Sequence, residues 1–250
     1  MSFMLSADPR PSLLIRARSY GASFTRRQIV RVALAAAVWS VALAGFGAAV
    51  RAEPPAPVKI VALGDSLTAG LGLADGDSFA TRLQAALAAK GVAVTIANAG
   101  VSGDTASGGL ARLDWSVPNG TDAVILELGA NDMLRGIDPS VTRDALDTIL
   151  RRLQERHIAV LICGMRAAPN LGAEYGRAFE SIYPELAAKY GIPLYPFFLD
   201  GAAGNLGLLQ HDGLHPTPAG VAVIVARILP QVEELVARSR SQHVRGERPS

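Results

Sequence analysis

Five short apolar runs alternate along the chain with longer amphipathic segments, and this alternation constrains the fold more than any other feature. The runs consist mainly of Val, Ile, Leu and Ala, as expected for buried strands. They cover residues 59–63, 92–97, 122–128, 158–163 and 192–195. Strands that alternate with helices are typical of a parallel sheet covered on both faces. We therefore predict an α/β fold.

Capping residues and apolar spacing give approximate limits for the helices between these runs. Ser78 is a suitable N-cap for a helix that reaches Lys90, and Asp138-Pro139 favours the start of another. We expect a single helix over residues 173–190 and a last helix over 218–237. Pro193 indicates that the fifth strand lies at a sheet edge, because proline has no N–H to donate.

The two ends of the chain differ from the middle. Residues 32–50 carry no charge and end at the small-residue pattern Val50-Arg51-Ala52, so residues 1–52 resemble a secretory signal peptide. The segment Thr25–Val30 resembles a twin-arginine signal, although the ordinary secretory route stays open, and an uncleaved membrane anchor is the alternative. We expect an exported protein, periplasmic or secreted. Residues 53–57 then form a Pro-rich linker, residues 58–237 one domain, and residues 238–250 a disordered tail.

The charge distribution argues against a nucleic-acid partner. The sequence pI is about 8.9, but residues 1–52 and 238–250 hold most of the excess of arginine. Residues 53–237 contain 13 Lys and Arg against 20 Asp and Glu, a balance of −7. An acidic domain repels a phosphate backbone, so we exclude nucleic-acid binding.

Four polar segments follow or flank the apolar runs, and their residue types form a complete hydrolytic set. They are residues 64–68, 98–105, 129–132 and 211–216. Ligands of parallel sheets bind at the carboxyl ends of the strands, where these segments should converge. Ser66 is a candidate nucleophile, His215 its base and Asp212 the residue that orients the base.

Acyl transfer also requires donors for the oxyanion. The N–H groups of Ser66 and Gly103 and the side-chain amide of Asn131 are of the required type. A metal site is not expected, because Gly213 and Pro216 interrupt the helix that would align His211 with His215.

Together, the four segments resemble the blocks of the GDSL, or SGNH, hydrolase superfamily. Residues 102–105, 110–113, 127–129, 131–136, 182–184 and 196–198 are similar to its bacterial periplasmic branch of acyl-CoA thioesterases, lysophospholipases and arylesterases. The resemblance implies a flavodoxin-like three-layer α/β/α sandwich with a five-stranded parallel sheet. It implies Ser66, Asp212 and His215 as catalytic residues, and Ser66, Gly103 and Asn131 as the oxyanion hole.

The same resemblance implies a serine esterase or thioesterase that needs no metal or organic cofactor. Its substrates would be aryl esters, acyl-CoA thioesters or lysophospholipids. Met133 replaces a smaller residue expected beside the oxyanion loop, so we assign Met133 and Leu134 to substrate binding. We expect a monomer, with membrane contact only through an uncleaved N-terminal segment. A carbohydrate O-deacetylase of the same superfamily and a non-catalytic exported binding protein stay open as alternatives.

Overall fold

The computed structural model describes residues 56–246 of the chain. Five strands there form one parallel sheet in the order β2-β1-β3-β4-β5. The strands are β1 Val58–Gly64, β2 Val94–Gly100, β3 Ala123–Glu127, β4 Ala159–Cys163 and β5 Leu194–Tyr195. All five residues of β3 and of β4 are buried, as expected for central strands. The predicted α/β fold with a five-stranded parallel sheet is confirmed.

Helices cover both faces of the sheet and complete the three layers. They are α1 Ser66–Ala69, α2 Phe79–Ala89, α3 Ala106–Ala111, α4 Leu113–Ser116, α5 Ala130–Leu134, α6 Pro139–Glu155, α7 Ala173–Glu180, α8 Ile182–Tyr190 and α9 Pro218–Gly246. Helices α2 and α9 pack together on one face, whereas α6 and α8 pack together on the other. The helix starts expected at Ser78 and Asp138 are confirmed, because each side chain accepts a hydrogen bond from an N–H of the first turn.

One helix prediction was wrong because of a proline. The single helix expected over residues 173–190 is two helices, separated at Ser181. Pro184 explains the break, because it has no N–H to donate to Glu180 and its ring crowds that carbonyl group.

The disordered tail expected from residue 238 was also wrong, since α9 continues to Gly246. Arg238 pairs with Glu234 one turn earlier and donates to the Gly191 carbonyl, and Ser239 is fully buried. These contacts extend the domain beyond the predicted limit at residue 237. Residues 247–250, the predicted signal segment and most of the predicted linker lie outside the described residues.

The sheet order places the functional loops. The chain passes from β1 outwards to β2 and then returns across β1 to β3, so the connections after β1 and β3 leave towards opposite faces. A crevice opens between such loops at the carboxyl ends of the strands. The segments that contain Ser66 and Asn131 border this crevice. Within residues 56–246, no helix has both the length and the apolar composition required to cross a membrane.

Candidate active site

Ser66 lies at a tight transition from strand to helix. Strand β1 ends at Gly64, and the Asp65 carboxylate accepts the Leu67 N–H at 2.9 Å and so caps α1, whose first residue is Ser66. A Cβ atom at Gly64 would overlap Thr68 Oγ1 and the Glu127 side chain. Only glycine therefore fits at this position, where the end of β1 approaches Thr68 and Glu127 closely.

The structure brings Ser66, His215 and Asp212 into one hydrogen-bonded line. Ser66 Oγ lies 2.8 Å from His215 Nε2, although the two residues are 149 positions apart. His215 Nδ1 lies 2.5 Å from Asp212 Oδ2. Nδ1 carries the hydrogen that is donated to Asp212. Nε2 is therefore the nitrogen that accepts the Ser66 proton.

Asp212 is held ionised by its surroundings. Its Oδ1 atom accepts the N–H groups of Leu214 at 2.9 Å and of His215 at 3.0 Å. The Leu214 N–H, together with the side chain and N–H of His215, lowers the pKa of Asp212 to about 2. Asp212 therefore carries a negative charge at neutral pH and stabilises the imidazolium that forms when His215 takes a proton.

Gln210 fastens the loop of His215 to the segment after α1. Its backbone N–H donates to the His215 carbonyl at 2.7 Å. Its side-chain amide donates to the carbonyl groups of Leu71 at 2.8 Å and Pro216 at 3.0 Å. The loop of His215 is therefore held directly against the segment that follows the Ser66 helix.

Two backbone N–H groups are available for an oxyanion. Ser66 is the first residue of α1, so its N–H has no acceptor within the helix. Gly103 has a φ of 86°, a conformation that favours glycine, and its N–H has no acceptor among residues 56–246. Arg135 donates to the Gly103 carbonyl at 2.6 Å and so fixes the orientation of the peptide group that follows Gly103.

The Asn131 amide lies beside these groups, but its hydrogens already have acceptors. Nδ2 lies 3.1 Å from Asp65 Oδ2 and 3.0 Å from the Asp104 carbonyl oxygen. Asn131 therefore reaches an oxyanion only by sharing or exchanging one of these bonds. Its role as the third donor stays a prediction.

Sequence reasoning gave no role to Arg112, although its guanidinium connects the loops of the site. It donates to Asp104 Oδ2 at 2.6 Å and to the carbonyl groups of Ala99 and Gly64, each at 2.8 Å. These contacts join the ends of β1 and β2 to the loop that carries Gly103. The sequence did contain one indication that Arg112 matters, because segment 110–113 is part of the family resemblance.

Two buried carboxyl groups beneath Ser66 were also missed. Asp65 and Glu127 are both fully buried, and Glu127 Oε2 accepts the Thr68 hydroxyl at 2.6 Å. Burial raises the pKa of Asp65 to about 6, an effect that bonds from Leu67 and Asn131 partly offset. Burial, and then the nearby Asp65 charge, raises the pKa of Glu127 well above its ordinary value. Burial therefore favours the protonated form of Glu127.

An apolar pocket of about 140 Å³ opens beside Ser66 and His215. Met133 and Leu134, predicted from the sequence to bind substrate, both line it. Further lining comes from residues that sequence reasoning did not select: Leu67, Ala130, Met165, Arg166, Phe197, Leu199 and Leu214. Met165 and Arg166 follow β4, and Phe197 and Leu199 follow β5, so strand ends beyond the four polar segments also shape the pocket.

Among residues 56–246, no three His, Cys, Asp or Glu side chains lie close enough together to hold a metal ion. Cys163, the single cysteine, is fully buried in β4.

Comparison with known proteins decides the family. The model of the GDSL-like lipase/acylhydrolase family matches residues 62–223, which include every residue of the hydrogen-bonded line. The chain belongs to the GDSL-like lipase/acylhydrolase family. This assignment confirms the resemblance seen in the four sequence segments.

Individual members of the GDSL-like family are similar over most of their length. "Esterase TesA" of Pseudomonas aeruginosa is 36% identical over 74% of this chain and 92% of its own. "Thioesterase 1/protease 1/lysophospholipase L1" of Escherichia coli K12 is 34% identical over 71% of this chain and 84% of its own. The crystal structure of AlinE4, a "SGNH-hydrolase family esterase", is 45% identical with a TM-score of 0.62, over 73% of this chain and 98% of its own. The predicted enzyme class, a carboxylic-ester hydrolase of the GDSL-like family, is confirmed.

Proposed function

We propose that this GDSL-like enzyme hydrolyses esters of short and medium acyl chains through an acyl-Ser66 intermediate, with His215 and Asp212 completing the triad. The observation that carries the proposal is the 2.8 Å contact between Ser66 Oγ and His215 Nε2 at the edge of an apolar pocket. A serine hydroxyl is a weak nucleophile unless a base in hydrogen-bond contact takes its proton.

The first half of the reaction forms the acyl-enzyme. Ser66 Oγ attacks the acyl carbonyl carbon while its proton moves to His215 Nε2. The N–H groups of Ser66 and Gly103, with Asn131, stabilise the oxyanion of the tetrahedral intermediate. His215 then protonates the departing alcohol or thiol as the intermediate collapses to the acyl-Ser66 ester.

The second half repeats these steps with water as the nucleophile. His215 takes a proton from the water that attacks the acyl-Ser66 carbonyl, and a second tetrahedral intermediate forms in the same hole. Its collapse returns the proton to Ser66 Oγ and releases the carboxylic acid. The ionised Asp212 stabilises the imidazolium in both halves.

The size of the pocket favours a limited chain length. Its volume of about 140 Å³ is well below the roughly 300–1,000 Å³ of pockets that enclose drug-sized ligands. Each carbon group of an acyl chain occupies about the volume of a water molecule, roughly 30 Å³. The pocket therefore holds a chain of roughly four to six carbon atoms. Longer chains would extend over Leu134 and Leu214, which are about half exposed at the rim.

The experiment measures hydrolysis of p-nitrophenyl esters from acetyl to palmitoyl, with palmitoyl-CoA and acetylated xylan alongside. We expect the highest kcat/KM between butanoyl and hexanoyl, and loss of activity in Ser66→Ala while the fold persists. Ser241→Ala, an exposed serine of α9 outside the pocket, serves as the matched control. Ser66→Ala with full activity would contradict the mechanism, and turnover confined to acetylated xylan would favour a deacetylase.

We also propose that the protein is exported and acts as a monomer. The proposal of export is supported by the uncharged segment 32–50 and by the small-residue pattern that ends at Ala52. Fractionation of expressing cells and N-terminal sequencing test it: we expect a periplasmic or secreted protein beginning at Glu53, monomeric in size-exclusion chromatography. A full-length protein retained in membranes would support the anchor instead.

A further inference from the structure

Asp65 is fully buried between the nucleophile and the oxyanion loop, and each of its oxygens has its own donor. Oδ1 accepts the Leu67 N–H at 2.9 Å, and Oδ2 accepts Asn131 Nδ2 at 3.1 Å. One carboxylate therefore fixes both the start of the helix that carries Ser66 and the amide of Asn131. Only a group with two acceptor oxygens satisfies both donors.

The two acceptors of the Asn131 amide differ in strength. Asp65 Oδ2 belongs to a carboxylate, whereas the Asp104 oxygen is a neutral carbonyl. Hydrogen bonds to charged acceptors are roughly twice as strong as those between neutral groups. A negatively charged oxyanion therefore competes successfully for the hydrogen directed at Asp104, while the hydrogen directed at Asp65 remains in place.

We infer that Asp65 is a positioning residue that fixes the Asn131 amide so that its second hydrogen is presented to the oxyanion. This inference rests on the proposed function, because it assumes the acyl-Ser66 mechanism. Asp65 acts entirely through Asn131 and the α1 cap and does not touch the substrate.

Burial raises the pKa of Asp65 to about 6, and the bonds from Leu67 and Asn131 act in the opposite direction, so the ionised form predominates above about pH 6. Burial favours the neutral form of Glu127 on β3, and its Oε2 atom accepts the Asp65 N–H at 3.3 Å. The Asp132 charge on α5 adds to the rise in the pKa of Asp65, although its oxygens accept the Ala106 N–H at 2.9 Å and the Thr142 hydroxyl at 3.0 Å. His215 favours the ionised form of Asp65, so the carboxylate is stabilised most when the imidazolium forms.

The Asp65→Asn variant separates the two contacts. An asparagine has one acceptor oxygen, so it caps Leu67 only by turning its own NH₂ group towards the NH₂ group of Asn131. Asparagine is as good an N-cap as aspartate, and α1 should therefore persist. We expect kcat for p-nitrophenyl butanoate to fall about 10–100-fold, the range for residues that orient groups of a reaction centre, with KM changed less than 2-fold.

A double-mutant cycle with Asn131→Ala distinguishes positioning from general damage to the fold. Asn131→Ala should reduce kcat about 10²-fold, as the loss of an oxyanion donor does. If Asp65 acts through Asn131, Asp65→Asn should reduce kcat less than 3-fold in the Asn131→Ala background. The control is Glu155→Gln, the same change of carboxylate to amide at an exposed position of α6 far from the site; its kcat should stay within 2-fold of wild type.

Wild-type kcat in Asp65→Asn would overturn the inference, and so would equal losses in the presence and absence of Asn131. Asp65→Ser, whose hydroxyl still caps Leu67, provides the same comparison if the asparagine variant does not fold. Failure of the proposed function is distinguishable, because Ser66→Ala would then retain activity.

Discussion

Glu127 shows most clearly how a single residue near the site affects the whole protein. It is fully buried beside Asp65, and its Oε1 atom has no hydrogen-bond partner among residues 56–246. Because burial raises its folded pKa above the unfolded value of about 4.5, the folded state binds this proton more tightly than the unfolded state. The stabilisation from this proton is fully present below the unfolded pKa. As pH rises from the unfolded towards the folded pKa, the free energy of unfolding decreases by up to about 1.4 kcal/mol per pH unit.

The Glu127→Gln variant tests this dependence. Glutamine is neutral in both states, so the variant should unfold at a higher temperature than wild type at pH 8 and at a similar temperature at pH 4. Thermal unfolding followed by circular dichroism between pH 4 and pH 8 provides the comparison. Glu155→Gln, an exposed change on α6, should not alter the pH dependence. A destabilisation by Glu127→Gln of equal size at both pH values would contradict the raised pKa of Glu127.

At the same scale, the sequence revealed those residues whose chemical types form a known set. Ser66, His215 and Asp212 were selected because nucleophilic catalysis requires a base and a residue that orients it. Asp65 and Glu127 received no role, because an acidic residue after a strand is usually a turn or surface residue in a linear sequence. Their function depends on burial, which only the packed structure shows.

At the scale of elements, strands were easier to predict than helix ends. Runs such as 159–163 are buried on both faces, so composition alone identifies them. The extension of α9 past residue 237 depends on contacts of Arg238 with Glu234 and with the distant Gly191 carbonyl, and no local pattern contains the second of these. The break at Ser181 was detectable, since Pro184 stands in the sequence.

Arg112 joins three elements, and its removal should disturb both stability and catalysis. Arg112→Ala leaves the Asp104 carboxylate and the carbonyl groups of Gly64 and Ala99 without a shared donor. We expect a loss of about 3–5 kcal/mol in the free energy of unfolding, the range for breaking a buried ion pair. We also expect a reduced kcat, because Asp104 directly follows Gly103, whose N–H is a proposed oxyanion donor.

Urea unfolding and steady-state kinetics measure both effects of the Arg112 substitution. Arg151→Ala is the control, because its pair with Glu155 on α6 is exposed and contributes at most about 1 kcal/mol. If Arg112→Ala were no more destabilising than Arg151→Ala, the role of Arg112 in joining the strand ends would be wrong.

At the scale of the whole molecule, the reactive group exists only because the chain folds. Ser66 and His215 are 149 positions apart, and the sheet order places their loops at the same end. The fold class and the family followed from the sequence because strand alternation and four separate motifs agree with one architecture. Only the part of the pocket formed by Met133 and Leu134 followed from the sequence, since residues after β4 and β5 contribute to the pocket without forming a polar motif.

Covalent labelling of the folded and unfolded protein tests most directly whether folding activates Ser66. The purified protein is treated with diethyl p-nitrophenyl phosphate, natively and in urea above the unfolding transition, and analysed by intact mass and peptide mapping. We predict one phosphoryl adduct on Ser66 in the folded protein, none in urea, and none in folded Ser66→Ala. An adduct on another residue of the folded protein, with Ser66 unlabelled, would contradict the assignment of Ser66 as the nucleophile.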